Sequence, residues 1–151
     1  MPFRFQKLDI SKIEELIPML NFFDSIPDSD FIKTVDLLTQ GYGRGFHGIT
    51  VCLFPDELDE YMISHGEGFD NGVQFIDMDD EIVVDIGTFW KYLTLACEIY
   101  WQQHPKDKFV LQDYLARPKP SLEMSPEVAG WWRKWKSGEY DYLKALKKIK
   151  S

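Results

Sequence analysis

Apolar residues recur along this chain at two spacings, and the switches between them outline its elements. Ile13, Leu16, Ile17, Leu20 and Phe23 fall at helical intervals behind Ser11 and Glu14, which have the Ser-x-x-Glu spacing of a capping box. Pro18 stands too deep for the first turn of a helix capped at Ser11, so it predicts a kink or a split. Pro27-Asp28-Ser29-Asp30 then breaks the pattern before a second helical run, Phe31, Ile32, Val35 and Leu38, that stops ahead of Gly41. Together these predict a pair of helices. From Gly41 to Gly48 the glycines predict a helix C-cap followed by a tight turn, because glycine adopts positive φ without steric cost. The spacing then changes. Ile49 to Phe54 is apolar on both alternating faces, the pattern of a central strand covered on both sides. Pro55 to Asn71 is too long for a hairpin turn and leaves room for one helical turn over Pro55 to Met62. Val73–Ile76 and Ile82–Ile86 read as two short strands joined by the four residues Asp77 to Asp80.

The strongest helical stripe follows. Phe89, Leu93, Ala96 and Tyr100, flanked by Tyr92 and Ile99, predict a helix over 88–104 with Asp85 or Thr88 as N-cap and Pro105 beyond its end. Phe109 to Leu115 makes one more short helix. Three prolines within 117–126 mark an extended linker, and Pro126–Lys136 and Tyr140–Lys150 read as two terminal helices. Trp131, Trp132 and Trp135 on the first of these favour a docking face over a ligand platform. Lys144, Lys147, Lys148 and Lys150 on the second solvate one face or answer acidic residues of the same chain. The expected fold is therefore α/β in the α+β sense. A small three-stranded antiparallel sheet packs with several helices over residues 1–116, and 117–151 form a helical extension on the same domain.

Composition narrows this picture. A chain of 151 residues with 44% hydrophobic content and no visible repeat supports one domain with a core of its own. The net charge of −8 argues against nucleic acid or an anionic membrane as partner, since either would repel it. The amino terminus lacks an apolar leader and no apolar run reaches membrane-spanning length, so a cytoplasmic location is expected. Cys52 and Cys97 sit alone in apolar segments and read as buried thiols, with a disulfide the less favoured alternative.

The charge is concentrated. Between Pro55 and Asp85 lie eleven carboxylates and no Lys or Arg. The candidate binding residues are Asp56, Glu57, Asp59, Glu60, Tyr61, Asp70, Asp77, Asp79, Asp80 and Glu81, an acidic surface suited to a basic protein partner. The 56–60 group is slightly favoured, because a long connection can shape itself to a partner and carries the aromatic Tyr61. Strand length places the long connection and the hairpin tip at opposite ends of the sheet, but one patch along an edge stays open. Catalytic readings are weaker. A glycosidase-like carboxylate pair needs a shared cleft with oxygens about 5–9.5 Å apart, and the three histidines, His47, His65 and His104, are each isolated. The Gly41–Gly48 stretch leads from helix to strand, the reverse of a dinucleotide fingerprint, and no Gly-Lys-Ser/Thr follows. Asp77 to Glu81 lacks the EF-hand pattern. No cofactor or metal is expected.

Gly41-Tyr42-Gly43, then Leu53-Phe54-Pro55-Asp56-Glu57-Leu58-Asp59-Glu60-Tyr61, Gly72-Val73-Gln74-Phe75, Asp80-Glu81-Ile82-Val83-Val84 and Phe89-Trp90-Lys91-Tyr92-Leu93 through Tyr100 and His104-Pro105 form an ordered series. Over about residues 29–115 it resembles the immunity proteins that pair with ribonuclease toxins in bacterial contact-dependent growth inhibition. The resemblance implies a small non-catalytic antidote that binds the C-terminal nuclease domain of its cognate toxin. The segment after Pro118 departs from that pattern. Two other readings stand beside it: an acid–base hydrolase using a carboxylate pair, and an acidic adaptor with a non-nuclease basic partner.

Overall fold

The computed structural model describes residues 14–140. Ser11 and Ile13 of the first helix signal lie outside these residues, as does the expected terminal helix beyond Tyr140 with its four lysines. A 3₁₀ turn, Glu14–Leu16, leads into α1, Ile17–Ser25. Pro18 thus stands in the first turn of the α-helix, where its missing N–H removes no hydrogen bond, so the proline splits the run and does not kink it. A second 3₁₀ turn, Asp28–Asp30, precedes α2, Phe31–Thr39.

The sheet has four strands, not three. β1 (Arg44–Phe46), β2 (Thr50–Leu53), β3 (Val73–Asp77) and β4 (Asp80–Val84) pair antiparallel in chain order. β1 lies inside the stretch expected to be only cap and turn. Its register with β2, Arg44↔Cys52 to Phe46↔Thr50, is possible because Gly43 has no side chain. A Cβ there would collide with the Cys52 carbonyl. Gly41, at φ +89°, does end α2 as anticipated, and the connection to β2 turns through His47 and Gly48, both at positive φ. β2 is shorter than Ile49–Phe54 and only half enclosed: Thr50 and Cys52 are buried, while Val51 and Leu53 are partly exposed. The expected four-residue hairpin connection is a two-residue turn, Met78-Asp79, because Asp77 and Asp80 already pair. The last strand starts earlier than Ile82 and ends at Val84, since Asp85 caps the next helix.

That helix, α4 (Ile86–Gln103), runs two residues earlier than the periodicity suggested. The Asp85 carboxylate accepts the Thr88 N–H at 2.7 Å and the Thr88 hydroxyl at 3.1 Å. Between β2 and β3 lie a 3₁₀ turn, Pro55–Glu57, and α3, Glu60–Ser64. α5 (Lys108–Leu115) and α6 (Pro126–Lys136) complete the described elements.

The core forms where α1 and α4 cross one face of the sheet. Phe75 on β3 meets Phe22 at 5.4 Å and both Phe23 and Phe89 at 6.0 Å between ring centroids. α2 and α5 close the side of the molecule, tied by Arg117, which bonds the Asp36 carboxylate at 2.7 Å and the Thr39 hydroxyl at 3.0 Å. A separate small cluster, Leu58, Ile63, Phe69 and Val128, lies beneath α6. Cys52 and Cys97 are both buried thiols. Among the described residues no helix is long and apolar enough to cross a membrane.

Candidate functional site

Antiparallel pairing sorts the acidic residues into two places. β2 and β3 pair from Leu53↔Gln74 at one end to Thr50↔Asp77 at the other. The 54–72 connection therefore leaves from the first end and the Met78-Asp79 turn caps the second.

At the loop end the carboxylates face groups of the protein itself. Glu57 accepts the Gly43 N–H through both oxygens, at 2.9 and 3.0 Å, and the Phe54 N–H at 2.8 Å, which clips β1 to the end of β2. Asp59 caps α3 by accepting the Met62 N–H at 2.8 Å. Asp56 accepts the Ser125 N–H at 2.7 Å just ahead of α6. Glu60 accepts the Tyr140 hydroxyl at 3.1 Å. Asp70 accepts the Trp132 indole N–H at 3.3 Å, with the Lys136 ammonium 3.8 Å away. Tyr61 is 68% exposed and stacks on His65, with ring centroids 4.1 Å apart.

The opposite end is differently built. The His47–Ile49 and Met78-Asp79 turns lie side by side, and the Met78 N–H donates to the Ile49 carbonyl at 3.0 Å. Asp77 is partly buried and accepts the Asn21 amide at 2.6 Å. Asp79 and Asp80 are exposed and meet no side-chain partner among the described residues, and Glu81 has only a 3.5 Å contact with the Gln74 amide. Beside them stand two exposed apolar side chains, Met78 at 74% and Ile49 at 48%. Met78 is held at φ 56°, a conformation that non-glycine residues seldom adopt. Neither Ile49 nor Met78 was a candidate on sequence grounds. The single apolar residue in Asp77-Met78-Asp79-Asp80 was the available signal for Met78.

Two groups among the described residues are clearly perturbed. Burial, and then the nearby Glu57 charge, push the Cys52 thiol well above its usual pKa, so it stays protonated and unreactive. The Thr88 N–H and then its hydroxyl hold the Asp85 carboxyl below the usual range. Among the described residues no three His, Cys, Asp or Glu side chains converge as a metal site would require. The two carboxylate groups stand at opposite ends of the sheet and do not form a cross-cleft pair.

What this arrangement offers is surface, with Asp79, Asp80 and Glu81 exposed at one end and α6 docked at the other. Residues 12–115 match the CDI immunity protein family. The chain belongs to this family. The match takes in the whole sheet and α1 to α5 and ends at the last residue of α5, before the linker and α6. No curated protein matches the chain. A CDI immunity protein acts by binding its cognate toxin, so the surfaces described above are candidate contacts for another protein.

Proposed function

We propose that this immunity protein neutralises a ribonuclease domain at the C-terminus of its cognate toxin by offering an acidic surface to a basic one. The observation that carries the reading is the run of eleven carboxylates without a single cation on a folded scaffold. A ribonuclease site attracts phosphates, and carboxylates placed where phosphates would sit can both steer the encounter and compete for that site. Asp56, Glu57, Asp59 and Glu60, the group favoured by sequence, are engaged by N–H and O–H groups of the same chain, and so is Asp70. The turn end therefore becomes the primary contact, with Asp79, Asp80 and Glu81 around the exposed Ile49 and Met78, a charged rim beside apolar anchors. Tyr61 and the outer carboxylates of the loop end form a secondary contact.

The test uses the C-terminal domain of the cognate toxin, identified by co-purification with the immunity protein. One equivalent of the immunity protein should stop its cleavage of RNA. In D79N/D80N/E81Q, which leaves the internally bonded Asp77 intact, association should slow by about tenfold at low salt and lose most of its salt dependence. Equal association rates for parent and variant at both low and high salt would overturn the turn-end assignment. A toxin domain that is neutralised but does not cut RNA would overturn the ribonuclease assignment alone.

A further inference from the structure

The two edges of the sheet are unlike. β1 is three residues long, and just ahead of it the Gly43 N–H is taken by Glu57. β4 is five residues long and pairs residue for residue with β3, with no bulge, proline or lysine, the devices that commonly blunt an exposed edge. Because Met78-Asp79 is a two-residue turn, its closing pair Asp77↔Asp80 exchanges backbone hydrogen bonds. Phe75↔Ile82 and Val73↔Val84 do the same by alternation, so the N–H and C=O groups of Glu81 and Val83 point away from β3. Nothing among the described residues bonds these four groups. The side chains of Glu81 and Val83 share a sheet face with Val51 and Ile76, opposite the face of the buried Cys52 and Phe75. Val83 is 47% exposed, and Val51 and Ile76 are partly exposed and belong to neither apolar cluster. The charges of this edge and its turn, Asp79, Asp80 and Glu81, are all negative. A second copy pairing along β4 would therefore set like charges close together, whereas a strand bearing Lys or Arg is attracted.

We propose that the protein partner adds a strand to β4. An extended segment of it pairs its backbone with Glu81 and Val83, sets a Lys or Arg beside Glu81, and lays an apolar side chain against Val83. Main-chain bonds hold the segment, and the alternation of cation and apolar residue selects it. The inference rests on the acidic-surface reading for the kind of partner and goes beyond it by naming the backbone groups that partner uses.

Amide hydrogen exchange, resolved by residue in the full chain with and without the co-purified toxin C-terminal domain, tests this directly. Alone, Glu81 and Val83 should exchange fast while Ile82 and Val84, bonded to β3, exchange slowly. In the complex, Glu81 and Val83 should slow by about tenfold or more. Unchanged exchange at these two amides overturns the proposal. So does equal slowing at Gly45, whose N–H faces out of the other edge, because the effect would then not belong to β4. Val83→Pro supplies a second reading. It removes the outward N–H without touching the bonds to β3, and proline is tolerated on an edge strand in that position. Val83→Ala removes the side chain and keeps the N–H. Val83→Pro should bind the toxin domain about tenfold more weakly than Val83→Ala, and equal affinities with both variants folded overturn strand addition. If Val83→Pro does not fold, exchange in the parent complex decides alone. The two readings fail separately: D79N/D80N/E81Q associating as fast as the parent removes acidic steering but leaves protected Glu81 and Val83 amides as evidence of an added strand, and slowed association with unprotected amides does the reverse.

Discussion

Gly43→Ala should be among the most damaging small substitutions in this protein, and its cost follows from geometry. The added methyl would collide with the Cys52 carbonyl oxygen while standing 2.8 Å from the carbonyl carbon and 2.7 Å from Glu57 Oε1. Backbone cannot rotate away as a side chain can, so β1 must move outward. That movement strains the Arg44↔Cys52 to Phe46↔Thr50 pairing and lifts the buried Phe46 from Phe22, 5.6 Å away. Overpacking of this kind costs about 1–3 kcal/mol. Loss of the Glu57 hydrogen bonds to Gly43 adds about 1 kcal/mol, below the usual range for a charged acceptor because Glu57 faces solvent. Gly45→Ala is the control. Its Cβ would meet Thr50 O and Val51 Cγ2 at 3.4 Å, ordinary contact, and its φ is not positive. Both substitutions gain the same ~0.4–1 kcal/mol from restricting the unfolded chain, so that term cancels in the comparison. Gly43→Ala should come out about 2–4 kcal/mol less stable than Gly45→Ala, an offset of about 1–2 M in the urea midpoint at equal slope. Coincident midpoints would refute the close approach of β1 to β2 at position 43.

Two titrations give further checks. The Asp85 carboxyl is held below the pKa it has in the unfolded chain, so its contribution is present above that value and lost as pH falls through the lower, folded one; Asp85→Ala should therefore lower the melting temperature at neutral pH and not at about pH 2. The Cys52 thiol is raised, so it stays protonated in the fold while the unfolded thiol ionises above about pH 8.5. Stability should decline over that alkaline range and decline less in Cys52→Ala, as read from urea midpoints at pH 7 and 9.5. Iodoacetamide should label Cys52 only as fast as the protein unfolds.

The apolar spacing revealed α2, α4 and the three longer strands, because each buries a continuous stripe or an alternating face, whereas the single helical turn expected over Pro55 to Met62 from its proline is a 3₁₀ turn followed by α3. It missed β1 for a specific reason. Arg44-Gly45-Phe46 is too short to show alternation, its one buried anchor is Phe46, and the glycines that signal a turn also allow one strand to approach another. Pro18 was read correctly as a break, but its role as a first-turn residue depended on a 3₁₀ turn that no periodicity announces. Of the two caps the sequence offered, Asp85 and Thr88, the structure uses Asp85, whose carboxylate accepts the Thr88 N–H.

Charge along a chain is legible, but what stands opposite each charge is not. Asp56 and Asp70 find their partners 69 and 62 positions away, at the N-cap and within a helix whose tryptophans gave the only hint that it docks. Glu57 reaches back 14 positions to a glycine N–H, a donor every residue but proline carries and therefore one that no composition can flag. The same register that hides these bonds creates the open end. Once Thr50 pairs with Asp77, the turns at 47–49 and 78–79 must lie side by side, and the exposed Ile49 and Met78 are brought next to Asp79, Asp80 and Glu81 by strand pairing alone. A surface that meets a partner protein is most easily varied where residues can change without disturbing the core. Two adjacent turns at the edge of an antiparallel sheet are such a place, because their side chains bear on neither Phe75 nor the helices behind it, whereas the loop end, tied into β1, α3 and α6, is not.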